Sequence, residues 1–114
     1  MLKVAIIGCG KIADQHAHAI GRIPDSRIVA VCDQEILMAR QLAGRFGHPA
    51  AFSDVGAMLR EAAPQLVHIT TPPQSHFSLA KQCLAAGCHV YLEKPFTVTA
   101  PEAEELIRLA EASG

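Results

Sequence analysis

The chain has 114 residues, half of them apolar, and a net charge of −1 at neutral pH. That length bounds a single domain with an ordinary core. The charge balance lacks the basic excess of a nucleic-acid binder. No apolar run is long enough for a membrane span or a signal-peptide core. Aromatics are scarce, with four Phe, one Tyr and no Trp, so the apolar mass is Ala, Ile, Leu and Val. This is the composition of helices packed on a parallel sheet. Cys9, Cys32, Cys83 and Cys88 each lie in or beside an apolar run, and none forms a CxxC pair. They are expected to be reduced, small apolar residues of a cytoplasmic protein, with no zinc site.

In chain order, Lys3 to Ile7 (KVAII) is a β-branched apolar run that fits a strand buried on both faces. Gly8-Cys9-Gly10 ends it, and Ile12, Ala13, Ala17, Ile20 and Ile23 then recur at helical spacing up to Pro24. Arg27 to Cys32 is a second buried strand. Glu35 to Phe46 is a helix with Ile36, Ala39, Leu42 and Ala43 inward and Gly47 as its stop. Ala50 to Phe52 is a short third strand, and Ser53 or Asp54 can cap a helix reaching about Ala62. Gln65 to Thr70 is a fourth strand, broken by Pro72-Pro73. Ser75 is placed as the cap of a helix to Ala86 that stops at Gly87. Cys88 to Leu92 is a fifth strand.

A last helix follows the capping box Thr99-Ala100-Pro101-Glu102 and carries Ala103, Leu106, Ile107 and Ala110. Strands alternating with helices five times predict an α/β, doubly wound parallel sheet of Rossmann type, order 3-2-1-4-5. Residues 1–114 are expected to form one domain. The chain is expected to end between elements, before a sixth strand and a second α/β domain. The open edge of the fifth strand offers pairing to another copy of the chain, the homo-oligomer expected here.

The strongest local signal is Gly8-Cys9-Gly10-Lys11-Ile12-Ala13, a G-x-G-x-x-A that follows a buried strand and opens a helix. Gly8 allows a sharp turn, Gly10 lets backbone approach a pyrophosphate, and Ala13 packs the helix closely on the first strand. The N–H groups around Lys11 and Ile12 would face the phosphates at the positive end of the helix. The Lys11 side chain itself reads as solvated. Asp33 lies 20 positions after Ala13, at the end of the second strand. Its carboxylate there can accept hydrogen bonds from the adenosine ribose and would repel a 2′-phosphate, which favours NAD over NADP. It could equally cap the second helix.

The later segments narrow the reading. Thr70-Thr71-Pro72-Pro73-Gln74-Ser75-His76, Ala86-Gly87-Cys88-His89-Val90 and Glu93-Lys94-Pro95 occur in that order, with His16 in the first helix. This ordered set, running from Met1 to Gly114, resembles the glucose-fructose oxidoreductase, inositol dehydrogenase and rhizopine-catabolism (Gfo/Idh/MocA) family. The resemblance implies hydride transfer between a nicotinamide ring and a hydroxyl-bearing carbon, usually of a sugar or cyclitol. It also implies a second, α/β domain that holds the substrate, whose acid/base pair has no counterpart in this chain.

By resemblance, Lys94 reaches the nicotinamide ribose and the substrate hydroxyl, where a cation eases the charge of a developing alkoxide. Glu93 orients the cofactor, Thr71 and Pro72 line its cleft, and His76 starts the next helix or joins the cleft. The chain departs from the family in two places. Pro73 stands where Asn is common, which removes a side-chain hydrogen bond to the cofactor, and Cys88 stands where Lys is common. His16 and His18, two apart on a helix, read as packing or surface residues. His68 reads as a hydrogen-bonded core histidine. Alternative readings are a non-catalytic cofactor-sensing module and an S-adenosylmethionine-dependent methyltransferase. The latter also pairs a Gly loop with an acid, but Glu93-Lys94-Pro95 and the dinucleotide-length loop speak against it.

Overall fold

A computed structural model describes residues 1–92 and 100–113. The apolar runs become strands β1 (Leu2–Ile7), β2 (Ser26–Cys32), β3 (Ala50–Phe52), β4 (Leu66–Ile69) and β5 (His89–Leu92). Between and after them lie α1 (Lys11–Gly21), α2 (Ile36–Arg45), α3 (Val55–Ala62), a 3-10 turn at Pro73–Ser75, α4 (His76–Ala85) and α5 (Ala100–Ser113). All strand pairs are parallel, in the order β3-β2-β1-β4-β5 expected from the sequence.

The central strand explains why its sequence is apolar without a break. Val4 and Ile6 of β1 pack with Ala13, Ala17 and Ile20 of α1 and Leu42 of α2. Ala5 and Ile7 belong to the opposite layer, with Met58 of α3 and Ala80 and Cys83 of α4. Successive strand residues point to opposite faces, so a strand clad on both sides needs apolar residues at every position.

Helix ends follow local chemistry. Asp54, not Ser53, caps α3, its Oδ2 accepting from the Ala57 N–H at 2.9 Å. Asp54→Ala is expected to cost about 1 kcal/mol in a denaturant titration; an unchanged midpoint would count against the cap. Gly47 and Gly87 adopt φ of +83° and +86° where α2 and α4 stop, as the C-terminal caps require.

Two expectations are corrected. Ser75 does not cap α4 through its side chain, because its hydroxyl donates to Thr71 Oγ1 at 2.6 Å and lies 2.8 Å from the Pro72 carbonyl. Ile23 lies beyond the end of α1 and is exposed. In α5, of Ala103, Leu106, Ile107 and Ala110 only Leu106 is buried, and Ile107 and Ala110 are exposed. That helix packs on α4, with Lys81 Nζ 3.6 Å from Glu105 Oε1, so a narrow stripe is all that it covers. The capping residue Thr99 lies outside the described residues. Among the described residues no helix is long and apolar enough to cross a membrane.

His16 is a packing residue, as expected. Its Nδ1 lies 2.8 Å from His68 Nδ1, and Tyr91 of β5 stacks on the His68 ring at 4.8 Å between centroids. His18 is exposed, edge-on to Phe46. The four cysteines are free and buried.

Candidate dinucleotide site

Parallel strands place all their C-terminal ends at one edge of the sheet. The chain order runs outward from β1 through β2 to β3, then restarts at β4 on the other side of β1. Connections therefore diverge between β1 and β4, and ligands of open α/β sheets bind at such a switch point. A cleft of about 730 Å³ lies there, its walls including Gly8, Gly10, Asp33, Thr71 and Pro72. These are five of the residues singled out in the sequence.

The glycine turn is built for two different reasons. Gly8 has φ of +95°, and a Cβ there would lie 2.8 Å from Thr71 Cγ2, 2.9 Å from Thr71 N and 3.0 Å from Thr70 C. The fold itself therefore demands glycine at position 8. Gly10 stands at the N-cap of α1 with φ of −82°, and a Cβ there would meet nothing within 4 Å. Among the described residues no neighbour requires glycine at this position. Open space on the cleft wall beside a helix N-terminus suits close approach by a phosphate group.

The turn is tied to both neighbouring strands. Gly8 N–H donates to the Cys32 carbonyl at 2.8 Å. Its carbonyl accepts from the Thr70 hydroxyl at 2.6 Å, and the following N–H, of Cys9, donates to Asp33 Oδ2 at 2.8 Å. Asp33 Oδ1 accepts from Glu35 N–H at 2.9 Å. The carboxylate is thus held by one backbone N–H on each oxygen and keeps lone pairs for further donors, such as ribose hydroxyls. It does not cap α2, whose N-cap is Glu35; it closes a local turn at the end of β2 instead.

The remaining candidates fall around this centre. Lys11 and Ile12 are exposed in the first turn of α1, where helix N–H groups have no intrahelical acceptors, but their side chains do not line the cleft. Ala13 is fully buried against β1, as its packing role requires. His76 is buried behind the cleft and not in its wall. Its Nε2 lies 2.8 Å from the Thr71 carbonyl, so that nitrogen carries the proton and donates. Glu93 and Lys94 lie outside the described residues. Leu92, just before them, pairs in register with Ile69 at the end of β4.

Cys9, inside the glycine loop, is chemically quiet. Burial, and then the Asp33 carboxylate, push its thiol up to about 12, so no nucleophilic thiolate forms near neutrality. Among the described residues no group of three His, Cys, Asp or Glu side chains gathers as a metal site would need. Sequence reasoning missed Thr70 as a site residue, together with the cleft-wall residues Met38, Ser78 and Leu79. The position of Thr70 just past a strand end was the available signal.

A parallel α/β sheet with a glycine turn, an acid at the end of β2 and a cleft at the switch point defines a dinucleotide-binding domain. Residues 2–114 match the model of the Gfo/Idh/MocA oxidoreductase family, described as an NAD-binding Rossmann fold, and the chain belongs to this family. It is 38% identical over 114 residues to D-glucoside 3-dehydrogenase of Escherichia coli (strain K12), covering 99% of this chain and 32% of that protein. It is 32% identical to scyllo-inositol 2-dehydrogenase (NADP(+)) of Bacillus subtilis (strain 168), covering 100% of this chain and 35% of that protein. The crystal structure of GenD2 from gentamicin A biosynthesis, in complex with NAD, superposes with a TM-score of 0.94 at 29% identity, covering 99% of this chain and 32% of that one. The chain thus spans about a third of the length of the relatives it matches.

Proposed function

We propose that this domain binds NAD(H) in the cleft between β1 and β4. In the longer protein it would serve hydride transfer to or from a hydroxyl-bearing carbon of a sugar, cyclitol or related substrate. The observation that carries the reading is the fixed Asp33 carboxylate at the end of β2, facing a glycine turn whose second glycine no described neighbour requires. Gly8, Gly10 and the first turn of α1, with Lys11 and Ile12, would hold the pyrophosphate. Asp33 would take the adenosine ribose, and Thr71 and Pro72 would border the nicotinamide half. Bound there, the nicotinamide ring would accept or donate the hydride. Lys94 is assigned to the reacting hydroxyl and Glu93 to cofactor orientation. Relatives named as dehydrogenases of a glucoside, of D-apiose and of scyllo-inositol support the substrate class. Residues 1–114 act as the cofactor domain and leave substrate choice to a second domain. Four free thiols fit a reducing compartment, the cytoplasm.

A calorimetric titration tests the cofactor assignment. NAD(H) is expected to bind more tightly than NADP(H), and S-adenosylmethionine not at all. Asp33→Ala is expected to weaken NAD(H) about 10- to 100-fold, the loss of hydrogen bonds to a charged group, and to narrow the gap to NADP(H). Equal affinity for the two dinucleotides in the unaltered protein would remove Asp33 as the discriminator. Tight binding of S-adenosylmethionine would replace the reading altogether.

A further inference from the structure

The peptide unit between Gly8 and Cys9 is gripped at both ends by side chains from different strands. Its carbonyl accepts from Thr70 Oγ1 at 2.6 Å, and its N–H donates to Asp33 Oδ2 at 2.8 Å. Thr70 follows β4 and Asp33 follows β2, separated from this peptide by 62 and 24 positions respectively. Gly8 has no Cβ to resist rotation about its own backbone bonds, so these two contacts help to hold the plane. Asp33 sets the sense of the plane, because a carboxylate accepts and does not donate. Thr70 holds the other end, in a buried place where a carbonyl without a donor is costly.

From this pinned peptide we infer that Thr70 is a positioning residue of the dinucleotide site. It fixes the glycine turn so that the backbone after it, from Gly10 into α1, stands ready for the pyrophosphate. The inference rests on the cofactor reading above and deepens it. Asp33 then has two duties, the ribose and the loop, and Thr70 shares only the second. The two residues should therefore separate by ligand. A variant of Thr70 touches binding through the phosphates, whereas a variant of Asp33 touches the ribose as well.

The test uses Thr70→Val, which keeps shape and removes the hydroxyl, and Thr70→Ser, which restores it. Two readouts apply to the whole chain. The first is hydrogen exchange at the Cys9 amide, followed by NMR without ligand. Thr70→Val is expected to speed it about tenfold while amides in the middle of β1 keep their protection, and Thr70→Ser is expected to return it. The second is calorimetry with NAD and with adenosine, which lacks phosphate. Thr70→Val is expected to weaken NAD about tenfold and leave adenosine unchanged, again with rescue by Ser. Unchanged Cys9 exchange in Thr70→Val overturns the inference, as does equal weakening of NAD and adenosine. Failure of the unaltered protein to bind NAD would overturn the cofactor reading instead, and the exchange measurement would still decide whether Thr70 pins the peptide.

Discussion

Gly8→Ala is expected to lower stability by about 2–5 kcal/mol, while Gly10→Ala leaves it nearly unchanged. At position 8 two costs add. A side chain at φ of +95° sits in a conformation disfavoured by about 1–2 kcal/mol. Its Cβ would also press on backbone atoms of Thr70 and Thr71 at 2.9–3.0 Å, an overpacking of about 1–3 kcal/mol. The backbone just past β4, an interior strand, has little room to retreat. A domain of this size has about 5–15 kcal/mol in total, so thermal melts should fall by roughly 10 °C or more.

At position 10 neither cost arises among the described residues, since φ is −82° and a Cβ would meet none of them within 4 Å. Gly10→Ala should melt within about 0.5 kcal/mol of the parent and lose affinity for NAD, because the added methyl group occupies space that the ligand needs. A parent-like melt for Gly8→Ala would contradict the close approach at Thr71. A large loss of stability in Gly10→Ala would mean that the protein, and not the ligand, requires that glycine.

The second large effect concerns alkaline pH. Burial raises the thiols of Cys9 and Cys83 from 9.0 to about 12, and that of Cys32 to about 11. Below pH 9 both the folded and the unfolded chain keep these protons, so they add no pH dependence. Above it the unfolded thiols ionise and the folded ones do not, and unfolding releases protons. Stability must therefore fall as pH rises from about 9 toward the folded values, by up to about 1.4 kcal/mol per pH unit for each thiol. Three such groups together remove about 4 kcal/mol by roughly pH 10.

Denaturant titrations between about pH 8 and pH 10 measure the slope. The decisive comparison is with Cys83→Ala. That variant starts from a lower stability because it leaves a small void, but its alkaline slope should be shallower by one thiol. An identical slope in the variant, or alkylation of the native protein near neutral pH, would contradict the buried, protonated state.

Much of the fold was legible because parallel strands clad on both sides spell unbroken apolar runs such as KVAII, and because Gly47, Gly87 and Asp54 mark helix ends by local chemistry. The glycine turn and Asp33 were legible from spacing and context alone. What the sequence hid is long-range. Nothing near Thr70 indicates that its hydroxyl reaches Gly8, or that Asp33 grips the next peptide, because only strand pairing brings them together. Helical spacing also gives no sign that Ile107 and Ala110 are exposed. Periodicity assumes that a helix lies on a full layer, whereas α5 follows the edge strand and leans on α4. Ser75 looked like a cap from its position, yet Thr71 and the Pro72 carbonyl lie nearer to its hydroxyl.

The ring stack on β5 has a practical meaning. The chain contains one Tyr and no Trp, so its near-ultraviolet signal comes almost wholly from Tyr91. That ring is half-exposed and lies flat on His68, with His16 of α1 edge-on. The optical spectrum is consequently a local gauge and not an average over the molecule. It registers whether β4, β5 and the first helix are seated together, at the sheet edge that leads into Glu93 and Lys94. A near-ultraviolet circular dichroism titration would thus sense events on that side of the domain without any added label.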